Sequence, residues 1–219
     1  MKWTGVNPFT LLLVACCGAI CAQAGDLHIV ITDGKQNGMG DVVVIATPLG
    51  AGAALPKPSA APATMDQRNL EFVPHVLVVR TGTLVSFPNH DVVRHQVYSF
   101  SPAKAFQLPL YAGKIYPPLL FDKAGIVTIG CNIHDSMVGF IFVTDSPWFA
   151  RSSAAGVADI AQLPAGEYAI ELWHPRQSDP LARLRGKALV DASGVTSAQF
   201  TLPSLRAAPN NNPSKKWAY

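Results

Sequence analysis

Near the middle of the chain stands the segment Gly130-Cys131-Asn132-Ile133-His134-Asp135-Ser136-Met137-Val138-Gly139. It brings a thiol, an imidazole and a thioether together as Cys-x2-His-x2-Met. Ile126–Cys131 and Val138–Val143 on either side are short, apolar and β-branched, so they read as strands running into and out of the loop. Such a loop offers three donors at one point without a long closure. A second imidazole must come from elsewhere. His95 can supply it at the start of its own strand, and His90, directly after Asn89, competes for that place; the position of His95 before Gln96-Val97 favours it. Two imidazoles, a thiolate and a weak axial thioether form the ligand set of a type 1 (blue) copper site. Thiolate and thioether suit Cu(I), imidazole suits both oxidation states, and a trigonal arrangement lets the ion change state with little movement. That is the requirement for fast one-electron transfer. The expected metal ligands are His95, Cys131, His134 and Met137, with Met137 as the long axial contact.

Each residue also has a plainer reading. A lone cysteine can be a small, inert core residue. Cys131, His134 and Asp135 could serve zinc, which would leave Met137 without a use. A Cys-His nucleophilic pair is a third option, although a cysteine three residues before a histidine, between two strands, lacks an orienting partner. His75 follows Pro74 in a strand region and reads as a surface residue, with a second metal site shared with Met65 as its alternative. His28 and His174 read as solvent-facing or strand-capping. Trp173 reads as core, and Lys215-Lys216 as a solvated tail.

The elements that must position these groups are strands. Of 219 residues, 49% are hydrophobic and 14% charged, which suits a folded core rather than disorder. A formal charge of +3, with no Lys/Arg run before the tail, argues against nucleic-acid binding. Strands are expected at Leu27–Thr32, Asp41–Thr47, Leu77–Arg80, Leu84–Phe87, His95–Phe100, Phe106–Leu110, Tyr168–Trp173, Lys187–Val190 and Ser197–Leu202, with turns at Gly156 and Leu163–Gly166. No long stretch has a helical period. The fold class expected is all-β.

The first residues read as a targeting segment. Lys2, the apolar run Phe9–Ile20 and Ala22-Gln23-Ala24 form a secretory signal peptide over 1–24, too short for a comfortable membrane span. Leu13-Val14-Ala15-Cys16 offers a rival reading, a lipid anchor at Cys16. Cleavage removes Cys16, Cys17 and Cys21 and leaves Cys131 alone. Exported proteins usually pair their cysteines, so a lone one invites a metal. The expected location is exported, in the periplasm, with no transmembrane span.

At this point a family resemblance becomes legible. The Cys-x2-His-x2-Met loop resembles the copper loop of the cupredoxins, with a short spacing like that of amicyanin. Phe121-Asp-Lys-Ala-Gly125 followed by Cys131 resembles the strand entering the plastocyanin copper loop. Val85-Ser-Phe87-Pro-Asn89 followed by His95-Gln-Val97 resembles the strand and first copper histidine, and Phe72-Val-Pro74 with the strand to Gly82 resembles the opening strand. The likeness covers about residues 66–145 and implies a Greek-key β-sandwich holding one type 1 copper ion. The segments 97–102 and 130–135 further resemble proteins labelled plastocyanin-like methylamine-utilisation proteins. Departures are Val127 and Ile129, where aromatics are common, and Gln96, where Asn is usual. The resemblance also implies that Asn89 bonds the copper loop near Asn132 and stiffens it.

The flanks resemble a different family. Val30-x-x-Asp33-Gly34 with Val42–Ile45, and Ala150–Gly156 with Leu163–Tyr168, resemble the two halves of a carboxypeptidase-regulatory-like β-sandwich. The expected organisation is therefore a signal peptide (1–24), the first part of a small flanking sandwich (26–50), a Pro/Ala/Gly linker (51–65), the cupredoxin domain (66–145), the second part of the flanking sandwich (146–203) and a disordered tail (204–219). If Leu27–Thr32 paired with strands of 66–145, the split-module reading would fail. The expected function is one-electron transfer without catalysis, with a redox partner such as a c-type cytochrome or a quinoprotein dehydrogenase. Copper carriage and delivery is the alternative, and a structural adhesion-type β-protein that retains a metal site is a third reading.

Overall fold

The computed structural model describes residues 24–50, 61–113, 116–179, 181–202 and 205–206. The expected signal peptide apart from Ala24, the lipid-anchor candidate Cys16, most of the expected linker and nearly all of the expected tail lie outside the described residues. Among the described residues the chain is all-β, with strands in chain order β1 (Ala24–Asp33), β2 (Val43–Pro48), β3 (Ala63–Thr64), β4 (Asp66–Arg68), β5 (Glu71–Val73), β6 (Val76–Arg80), β7 (Thr83–Ser86), β8 (Tyr98–Ser101), β9 (Lys104–Gln107), β10 (Leu119–Phe121), β11 (Gly125–Gly130), β12 (Val138–Thr144), β13 (Trp148–Arg151), β14 (Val157–Pro164), β15 (Gly166–Trp173), β16 (Leu184–Val190) and β17 (Val195–Leu202). Among the described residues no helix is long and apolar enough to cross a membrane.

Strand β1 alternates with period two: Leu27, Ile29 and Ile31 are buried, while His28 and Val30 are half-exposed. It lies between β14, antiparallel, and β17, parallel. A second sheet runs β13-β2-β15-β16. Between these two sheets the side chains of Leu27, Ile29, Ile31, Val44, Ile160, Ile170 and Leu172, with their neighbours, form one core. The residues around the Cys131–Met137 loop build a separate core. There the sheets are β6-β12-β11-β8-β9 and β10-β7-β3, with the hairpin β4-β5 beside them, and Met65, Phe87, Val97, Phe121, Val127, Ile129 and Ile141 pack between them.

The chain passes between the two cores at two nearby points. Ser146 Oγ donates to the carbonyl of Ala46 at 2.6 Å, tying the return of the chain to β2. A third cluster of Val43, Ile45, Val76, Phe142 and Trp173 cements the contact. The guanidinium of Arg183 lies over the rings of Phe142 and Trp173, 5.1 and 5.9 Å from their centroids.

Several elements differ from their sequence expectation. Leu163-Pro164 belongs to β14 and Gly166 opens β15, so the expected turn over 163–166 tightens to Ala165. β14 carries a bulge: Gly25 faces Leu163 and Leu27 faces Ile160, so two steps on β1 match three on β14, with Gln162 at φ 58°. The bulge turns both Ile160 and Leu163 inward and breaks the period-two signal. His95 forms only an isolated bridge to Tyr111, and its strand begins at Tyr98. His174, expected to face solvent or cap a strand, is buried; it does cap the end of β15, its Nδ1 accepting the Arg176 N–H at 3.1 Å. Burial, helped by the nearby Arg176 charge, pulls the His174 pKa down to about 4.

Candidate metal centre

The loop between β11 and β12 is a tight knot of main-chain bonds. The Cys131 N–H donates to the Met137 carbonyl at 3.2 Å, and the Met137 N–H donates to the His134 carbonyl at 2.8 Å. Antiparallel pairing of β11 with β12 brings the loop's two ends together, Gly130 facing Val138. The first imidazole arrives from the other side. Gly130 also faces Tyr98 in β8, so the residues just before Tyr98 run beside Cys131. His95 is held there by two main-chain bonds of 2.9 Å with Tyr111, one in each direction.

The result is a three-donor cluster. Cys131 Sγ lies 3.8 Å from His95 Nδ1 and 3.8 Å from His134 Nδ1. The donor atoms of these three residues all fall within 4.8 Å of one another. Donors at about 2.0–2.3 Å from a shared ion stand about 3.5–3.8 Å apart, so the site has the dimensions of a metal site with a thiolate and two imidazoles. His95 is fully buried and Cys131 nearly so, whereas His134 is half-buried and is the donor of the three that meets solvent. The two imidazole rings are 5.0 Å apart and inclined at 63°. Met137 is buried in the same core cluster as Cys131.

The competing residues sit elsewhere. His90 directs its Nδ1 to Asp66 Oδ1 at 2.7 Å, and its side chain is largely exposed. Asp135 is exposed and stays outside the three-donor group, so the zinc set with Asp135 does not assemble. Met65 is wholly buried in the core, while His75 is exposed and sets its ring edge-on to Phe140.

Asn89 departs from its expected part. Its amide donates to the carbonyls of Val93 and Tyr111 at 3.0 and 2.8 Å, and its Oδ1 accepts the Asp91 N–H at 2.9 Å. It braces the segment that carries His95 rather than the loop at Asn132. The reason is position: Asn89 is buried at the start of that segment, and its polar atoms find those partners first. Below it, Gln67 Nε2 donates to the Tyr111 hydroxyl at 2.6 Å, and that hydroxyl donates to the Phe87 carbonyl at 2.6 Å. Burial pushes the Tyr111 phenol up to about 12.

One contact to the donor set escaped the sequence reading. His95 Nε2, the ring nitrogen turned away from Cys131, lies 2.7 Å from Asp91 Oδ2. Burial would raise the Asp91 carboxyl, but the Leu70 N–H, the His95 ring and the Asn69 N–H together hold it below the usual carboxylate range. The available signal was the spacing Asp-x3-His.

No family model matches the chain, and no curated protein matches it. Solved structures do resemble it. A copper-containing nitrite reductase from Thermus scotoductus SA-01 is 30% identical over 44% of this chain and 25% of its own, with a TM-score of 0.36; the chain thus spans a quarter of that enzyme's length. A purple cupredoxin from Nitrosopumilus maritimus is 23% identical over 38% of this chain and 100% of its own, with a TM-score of 0.33. A reduced amicyanin variant is 21% identical over 45% of this chain and 98% of its own, with a TM-score of 0.34.

Proposed function

We propose that this protein is a type 1 copper protein that carries single electrons, and that His95, Cys131, His134 and Met137 would hold the ion. The observation that carries the reading is the placement of two imidazole nitrogens at 3.8 Å from one buried thiol sulfur. Bound copper would supply a Cu(II)/Cu(I) couple. The chain's own residues do the rest. Buried His95 and Cys131 exclude water, and the main-chain knot from Cys131 to Met137 holds the donors in one geometry, which keeps reorganisation small. Half-buried His134 offers an edge through which an electron can leave. Exposed Ile133 and Val138 flank it as an apolar landing for a redox partner.

In this reading the protein acts as a carrier rather than a catalyst, in the periplasm after loss of residues 1–24. Its partner is a c-type cytochrome or a quinoprotein dehydrogenase, the latter in keeping with the sequence resemblance to methylamine-utilisation proteins. Residues 26–50 and 146–203 form one module that carries the copper domain as an insertion; pairing of β1 with β14 and β17, and of β2 with β13 and β15, supports that division. The test is the visible and EPR spectrum of the Cu(II)-loaded protein, joined to a redox titration and a copper-exchange rate. An intense thiolate-to-copper band, a narrow copper hyperfine splitting and a reversible couple with slow copper loss are expected. Rapid transfer of copper to an acceptor protein would favour delivery instead, and absence of the band would refute a copper–thiolate centre.

A further inference from the structure

Asp91 stands at a junction that a surface carboxylate would not need. Its Oδ1 accepts the Asn69 N–H at 2.6 Å, and its Oδ2 accepts the Leu70 N–H at 3.0 Å. Oδ2 also meets His95 Nε2 at 2.7 Å, and its own N–H donates to Asn89 Oδ1 at 2.9 Å. Asn69 and Leu70 form the two-residue turn of the β4-β5 hairpin, both at positive φ (54° and 61°). A leucine in that conformation is held at a cost in backbone strain, and here the turn aims two adjacent N–H groups at one carboxylate. Asp91 is thereby fixed from two sides before any metal arrives, and its side chain is only 12% exposed.

We propose that Asp91 is the positioning residue of the metal centre: it holds the His95 ring proton on Nε2, leaves Nδ1 open toward Cys131, and biases the site toward Cu(II). The inference rests on the copper reading above. A carboxylate that accepts the outer N–H of a ligating imidazole fixes its tautomer and makes it a stronger donor. The more highly charged ion gains more from a stronger donor, so the oxidised state is favoured and the potential falls. His95 is fully buried beside Asp91 and His134 is half-buried, so the two imidazoles sit in different surroundings.

Two measurements test this. In the metal-free full chain, nitrogen-15 correlation spectra should show His95 protonated at Nε2 with Nδ1 free; a proton on Nδ1 would overturn the proposal. In Asp91→Asn, the ratio of Cu(II) to Cu(I) affinity should fall about tenfold, a rise in potential of about 59 mV for one electron, while the thiolate-to-copper band remains. A ratio within twofold of the unsubstituted protein would also overturn it. If the substituted chain fails to fold, the ring-proton measurement decides. A chain that takes up no copper would sink the parent reading alone, and the location of the His95 proton would still settle the Asp91 contact.

Discussion

Cys131 Sγ and His95 Nδ1 lie 3.8 Å apart although 36 positions separate them in the chain. The join between β8 and β11 is the cause. Its single register pair, Gly130 with Tyr98, sets the residue after one strand beside the residues before the other. His95→Ala and Cys131→Ser should each abolish the thiolate-to-copper band. His90→Ala should keep it, because that ring is turned to Asp66. Visible spectra of the three copper-loaded variants check this, and loss of colour in His90→Ala alone would reverse the assignment.

Met137 offers a thioether that a trigonal site uses only weakly. Met137→Leu keeps the volume of a fully buried side chain, so it should cost less than about 1.5 kcal/mol in stability. The colour should persist and the potential should rise, since the donor that is lost helps Cu(II) more than it helps Cu(I). Cyclic voltammetry reads the shift; a fall in potential would argue against Met137 as a copper ligand.

The core built on β1 should be separable from the metal. Ile29 is wholly buried there, in a core separate from the one that holds Cys131 and Met137. Ile29→Ala should destabilise the protein by about 2–5 kcal/mol and leave the copper band of the folded protein unchanged. Chemical denaturation followed by fluorescence and by colour measures both.

His174 predicts an acid limit. Its folded pKa of about 4 lies below the ordinary 6.5 because the ring is buried and Arg176 is near; Asp41 opposes this, and His75 adds to it. Between those two values the unfolded chain binds the proton more readily than the folded one. Stability is therefore whole above pH 6.5 and falls as pH drops toward 4, by up to about 3 kcal/mol. Denaturation midpoints from pH 7 to 4 should show the loss, and His174→Gln should flatten it. An unchanged pH slope in that variant would exclude His174 as the source.

Much of the fold was legible because its signals are local. The alternation of Leu27, Ile29 and Ile31 marks β1, and the β-branched runs beside the loop mark β11 and β12. β14 hid because a bulge at Gln162 breaks its alternation. The strands Asp66–Arg68 and Glu71–Val73 hid because three residues are too few to show a period. Trp173 read as core and is core, but nothing in its neighbourhood along the chain said that it would sit with Phe142 and Val76 where the two sheet systems meet.

The donor set divides in the same way. Cys131, His134 and Met137 are joined by a few covalent links, so the donor set can be read from spacing alone, and the expectation of a metal over a bare thiol follows from residue types. Asp91 and His95 also stand close in the chain, yet their ring-to-carboxylate contact depends on two N–H groups of a hairpin turn some twenty residues earlier. The pairing of β1 with both β14 and β17 spans most of the molecule. Contacts of that kind arise from burial and strand register, which depend on the whole packed chain, and no local pattern encodes them.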